Sequence, residues 1–215
     1  MIASLRIILC ALLLAAMSFS AHATVFNFVP SDADLADLDH NYAYSWGIRN
    51  STLANQLNNG YVITGASLTI NDIWDWQVES DILYVALLDN PRNGLNTYYD
   101  NEGGGNYFGS AVQVGTWSDP VGGNPNAAID LVFNFNSSLI NTLTSYILNG
   151  ATSTGRGLFG LGFDPDCHYF NTGVCFTITT GLTPQEPTVP EPATMSLLGL
   201  GLAGMAAARR RMRKA

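Results

Sequence analysis

The chain has 215 residues, of which 47% are hydrophobic and only 12% charged, and its formal net charge is -8. That length suits one domain with appendages, and the apolar content excludes wholesale disorder. Seventeen acidic against nine basic side chains argue against a nucleic-acid binder, because neutralising phosphates takes Lys and Arg.

Residues 1–23 read as a secretory signal peptide. Arg6 is the positive n-region and Ile7 to Met17 the apolar h-region. Ala21-His22-Ala23 is a small-x-small cleavage signature, so the mature chain starts at Thr24. The apolar run is too short to span a bilayer.

Between Thr24 and Thr188 stand 13 Asp and 3 Glu against Arg49, Arg92 and Arg156, a balance of about -13 with no lysine. Asn, Gly, Thr and Ser are abundant there, which suits strand faces and turns more than helices. Strands are expected at Val25 to Val29, Tyr42 to Ile48, Tyr61 to Ile70 and Asp81 to Asp89. Further strands are expected at Ala111 to Trp117, Ala128 to Phe135, Gly157 to Phe163 and Cys175 to Thr180. Ser31 to His40 carries a helical turn. Ser138 to Leu148 is the one good helix, with Leu139, Ile140, Leu143, Tyr146 and Ile147 on one face and Asn149-Gly150 as its stop. Many short strands separated by turn signals imply a mainly β domain over 24–180. The expected architecture is an antiparallel, jelly-roll-like β-sandwich with one short helix.

Candidate chemistry is sparse. Cys167 and Cys175 form an even pair in an exported, oxidising setting, so a disulfide around the loop between them is expected, worth roughly 2–3 kcal/mol. Asp164-Pro165-Asp166 and Asn171 offer hard oxygens that suit calcium, with Asp164, Asp166 and Asn171 as ligands. The alternative is that both aspartates cap turns around Pro165. His40 and His168 read as buried, hydrogen-bonded structural residues. No G-x-S-x-G or H-E-x-x-H accompanies them, so no catalytic residue is assigned. Trp74 and Trp76 share a strand face and suit stacking on sugar rings; ordinary packing is the alternative. Tyr98-Tyr99 and Tyr107-Phe108 lie in a loop-like, Gly/Asn-rich context.

Residues 181–188 read as a Pro-rich spacer, and 189–215 as a three-part tail. Val189-Pro190-Glu191-Pro192 resists helix formation. Ala193 to Ala208 is an uncharged membrane-helix candidate, and residues 209–215 are a basic cluster held on the cytoplasmic side. Gly199, Gly201 and Gly204 fit G-x-G-x-x-G but follow no strand, so no dinucleotide site is assigned. This order resembles the PEP-CTERM sorting signal. The resemblance implies an exosortase as partner, export across the inner membrane of a Gram-negative bacterium and a transient membrane anchor. Delivery to the cell surface or an exopolysaccharide matrix would follow. The remaining domain loosely resembles PEP-CTERM-associated β-sandwich modules with a D-P-D-C-H-Y-like stretch, which implies fold only. The expectation is a non-catalytic surface or biofilm-matrix protein that binds extracellular polysaccharide. A purely structural or adhesive protein and an exported polysaccharide hydrolase are the alternatives.

Overall fold

The computed structural model describes residues 23–30, 33–78, 81–101, 104–150 and 155–182. The signal-peptide segment through His22, the spacer beyond Leu182 and the sorting tail, with its expected helix over 193–208, lie outside the described residues. Among the described residues no helix is long and apolar enough to cross a membrane.

The domain is mainly β, with two antiparallel sheets and two short helices. The first sheet holds β1 (Thr24–Phe28), β2 (Asp37–Leu38), β4 (Tyr61–Asp75), β8 (Ile129–Asn134), β10 (Tyr169–Phe170) and β11 (Gly173–Leu182). Its order is β1-β11-β4-β10-β2, and β8 pairs with β4 as well. The second sheet holds β3 (Tyr42–Ile48), β5 (Leu83–Asp89), β6 (Gly94–Tyr99), β7 (Val112–Trp117) and β9 (Phe159–Pro165), in the order β6-β3-β9-β5-β7.

Alternation explains the core. On β11, Val174, Phe176, Ile178 and Thr180 point inward and are buried, while the residues between them are half-exposed. Phe176 meets Phe159 of β9 at 5.8 Å between ring centroids, and Phe28 meets Phe159 edge-on at 6.0 Å. Trp117 of β7 lies 5.5 Å from Tyr169 of β10. These contacts join the two sheets across one buried cluster. All seven residues of β9 are buried, because the core covers one face and loops cover the other.

The expected helix exists as α2 (Ser137–Asn149), capped by Asn136, whose side chain accepts from Leu139 N–H at 3.0 Å. Leu139, Leu143 and Ile147 form its buried stripe. A second helix, α1 (Ser51–Asn58), was not expected. Only Leu53 and Leu57 mark its inner face, too few to show a period, although Asn50 caps it through Leu53 N–H at 2.8 Å. Gly94–Tyr99, of which Tyr98 and Tyr99 were expected in a loop-like context, pairs with β3 from Gly47 to Tyr42. The last strand runs through Gly181 and Leu182, where the spacer was expected to begin.

The expected disulfide is not formed; Cys167 and Cys175 are free thiols. Sheet parity is the reason. Cys175 lies between inward-pointing Val174 and Phe176 and so faces outward, while Cys167 is buried. Cys175 is paired with Thr69 on β4, whereas Cys167 Sγ donates to Asp75 Oδ1 at 3.1 Å. Thr69 and Asp75 sit six positions apart on one strand, on the order of 15–20 Å, far beyond the ~7 Å Cα limit of a disulfide. The loop between the cysteines is held by hydrogen bonds instead: Asn171 N–H to Ala36 O at 2.9 Å and Thr172 Oγ1–H to Asp72 Oδ2 at 2.8 Å.

Candidate functional site

Three groups of side chains carry the chemistry, and the sheets position each. The first is a cleft on the outer face of the second sheet. On β9 the outward positions are Gly160, Gly162 and Asp164, so two of three lack a side chain. Phe108 fills the space over Gly162; a Cβ there would lie 2.7 Å from its ring. Tyr107 N–H donates to Asp164 Oδ2 at 2.6 Å, and Gly104 N–H bonds the Asp166 carboxylate. The segment around Tyr107 is thereby fixed as a wall. It encloses a cleft of about 770 Å³ lined by Tyr98, Tyr107, Phe108, Tyr146, Arg92 and Arg156. Tyr98 and Tyr107 stack at 5.7 Å and 26°, and Tyr107 remains 45% exposed. The three arginines of an otherwise acidic domain gather here. Arg92 and Arg156 bridge each other's backbones, Arg156 Nη1 donates to Asn90 O at 2.9 Å, and Arg49 Nη1 donates to Arg156 O at 3.0 Å.

The second group is a buried acidic corner behind that wall. Asp164 is fully buried, and its Oδ1 has no donor within the protein; the same holds for Asp100 Oδ2 and Asp166 Oδ1. Burial pushes the Asp164 carboxyl up to about 7, helped by Asp100 beside it and by Asp166, with Tyr107 N–H pulling the other way. Burial also raises Asp166 and Asp75. Ligand atoms of Asp75, Asp81 and Cys167 lie within 4.8 Å of one another. Burial and the Asp75 carboxylate push the Cys167 thiol up to about 12, which keeps it protonated as a donor. Of the expected calcium ligands, Asp164 and Asp166 are in this corner. Asn171 is not spent there: its Nδ2 donates to Leu35 O at 2.5 Å and its Oδ1 accepts from Gly173 N–H at 3.0 Å. Asp100, which no sequence spacing marked, stands beside Asp164 instead.

The third group lies on the outer face of the first sheet. The register sets Leu38, Tyr169 and Asp75 in one row and Asp37, Phe170 and Trp74 in the next. The former row is fully buried, so the latter faces out. By the same alternation Asp39 and His168 face out, and His40 follows in the turn. The histidines, expected to be buried, are therefore neither in the core nor apart. Their side chains are 32% and 24% exposed, and the rings meet edge-on at 5.6 Å. His168 stacks on Phe170 at 5.4 Å and 9°. Trp74 spends a face on Phe170 at 5.0 Å, whereas Trp76 is 49% exposed and edge-on to His168 at 6.1 Å. The two tryptophans thus share a strip with His168 and Phe170.

Residues 188–211 match the model of the PEP-CTERM protein-sorting motif. The chain ends in a PEP-CTERM sorting motif. The motif implies an exported, exosortase-processed protein sorted to the cell surface. It includes Val189, Pro190, Glu191 and Pro192, which lie outside the described residues. No curated protein matches the chain by sequence. Among solved structures, a chain of Desmodium yellow mottle tymovirus is similar over 80% of this chain and 94% of its own length, at 14% identity and a TM-score of 0.27. A likeness that low carries no argument here.

Proposed function

We propose that the chain is a matrix or surface protein of a Gram-negative bacterium whose non-catalytic domain, a jelly-roll-like β-sandwich, binds extracellular polysaccharide in the Tyr98–Tyr107–Arg156 cleft. After export the tail anchors it transiently in the inner membrane until exosortase acts. The cleft is the observation that carries the binding reading. Its volume falls in the range of small-ligand sites, and flat aromatic faces suit the apolar faces of sugar rings. Arg92 and Arg156 supply fixed positive charge to a domain that otherwise repels anions. A polymer with carboxylate or other anionic substituents fits that pair best. Calcium belongs to the same proposal as a counter-charge for Asp100, Asp164 and Asp166, each of which keeps one oxygen without a donor.

Retention of the exported protein on immobilised acidic and neutral polysaccharides tests this reading. Acidic polymer should retain it, Tyr107→Ala and Arg156→Ala should each weaken retention at least about tenfold, and salt should weaken it further. Absence of retention on every polymer removes the binding reading. The sorting half is tested separately by deleting 193–215, which should divert the protein from the surface into the medium or periplasm.

A further inference from the structure

The only two histidines after residue 23 come from opposite parts of the sequence and meet on one outer face with two aspartates. One ring nitrogen of His40, one of His168 and a carboxylate oxygen of Asp39 all lie within 4.8 Å of one another. His168 Nε2 stands 2.8 Å from Asp37 Oδ1 and 4.0 Å from Asp39 Oδ2, and His40 Nδ1 is 3.9 Å from Asp39 Oδ1. We propose that His40, His168 and Asp39 bind a first-row divalent transition metal such as zinc, with Asp37 available as a fourth ligand.

Four features support the assignment. Two imidazoles and carboxylates without a thiolate are a donor set for zinc, nickel or copper rather than for calcium, which takes oxygens alone. Asp37 and Asp39 bring two carboxylates up to the imidazoles, negative charge that a divalent ion would offset. The ligands are oriented from behind. Asp39 Oδ1 accepts from Asn41 N–H at 2.9 Å and Asn41 Nδ2 at 2.7 Å, which fixes the carboxylate, and Phe170 and Trp76 fix the plane of His168. Finally, β2 is two residues long, so a metal joining Asp39 and His40 to His168 would clamp the outermost strand of the sheet to the β10 loop. The cluster lies on the first sheet and the proposed sugar cleft on the second, so neither reading depends on the other.

The test uses the untagged exported protein, stripped with a chelator and dialysed against zinc or cobalt. One equivalent of zinc should bind, and the cobalt form should show the visible d–d bands of bound imidazole and carboxylate. His168→Ala should lower zinc affinity at least about tenfold, and His40→Ala should do the same from the turn, where the side chain supports no core packing. An equal concentration of calcium should displace none of the zinc. Absence of zinc uptake with no cobalt bands in the unaltered protein overturns the proposal. So does unchanged affinity in both histidine variants, or displacement by calcium.

Discussion

The buried acidic corner and the outer histidine cluster hold the same residue type in opposite conditions. Asp164 has one oxygen on Tyr107 N–H, and beyond that its carboxyl meets only the Asp100 carboxyl, with Asp166 nearby. Asp39 is partly exposed, and although burial pulls its carboxyl upward, Asn41 and the two imidazoles hold it below the ordinary range. Donors and solvent, more than the residue itself, decide whether an aspartate is a strained acid or a settled anion. The strained one lies behind a cleft wall, and the settled one faces a candidate metal.

The largest expected effect breaks the wall. Gly162→Ala places a Cβ 2.7 Å from the Phe108 ring, so the ring must leave its seat. Stability should fall by about 1–3 kcal/mol in chemical denaturation, and polysaccharide retention should fall with it. Retention unchanged in that variant would separate the wall from the cleft.

The next effect sharpens the contrast in charge. Asp164 sits at about 7 when folded and near 3.9 when unfolded. Between pH 4 and 7 the folded chain therefore keeps a proton that the unfolded chain has lost. Stability should fall as pH rises through that window and level off above it. Asp164→Asn keeps an acceptor for Tyr107 N–H and removes the charge. At pH 8 it should be more stable than the parent by on the order of 2 kcal/mol, and at pH 4 the two should converge. Calcium should raise the melting temperature at pH 8 more than at pH 5, because the proton and the cation neutralise the same carboxylates. A flat response to EDTA at pH 8 would remove calcium from the corner.

Smaller effects follow from the thiols and the surface. Reducing agent should leave the melting temperature unchanged, because Cys167 and Cys175 are not bonded; a drop of several degrees would restore the disulfide. Cys167 should resist alkylation until unfolding, given its burial and a thiol pushed up to about 12. His40→Gln in metal-free buffer should change stability by less than about 0.5 kcal/mol, since the ring is only partly buried and lies outside the core.

How much of this was legible varied with the range of the signal. Tyr42 to Ile48 was readable to the residue, because a short aromatic and apolar run is a signal that acts within a few positions. The helix after Asn136 was readable from Ser138 to Leu148 through its apolar stripe and its Asn149-Gly150 stop, although its cap was not. Strands β2 and β10, two residues each, have no period to detect, yet their register builds the histidine cluster. The cysteine spacing pointed to a bridge that parity forbids, since Cys175 lies on the other face from the core. Asp100 and Asp164 are far apart in sequence, with β7, β8 and the second helix between them, and only strand pairing and the wall segment bring them together.

The sorting tail, the mainly β class, the acidic balance and the scarcity of basic residues between Thr24 and Thr188 are all legible in the amino-acid sequence. Each is a property of composition or of a short contiguous run. Folding in three dimensions decided which aspartates are buried, that Arg92 and Arg156 line one cleft, that two histidines meet and that two cysteines do not. Those outcomes depend on which strands lie side by side and which face each residue takes, and a one-residue change of register would turn the buried aspartates of the strands outward.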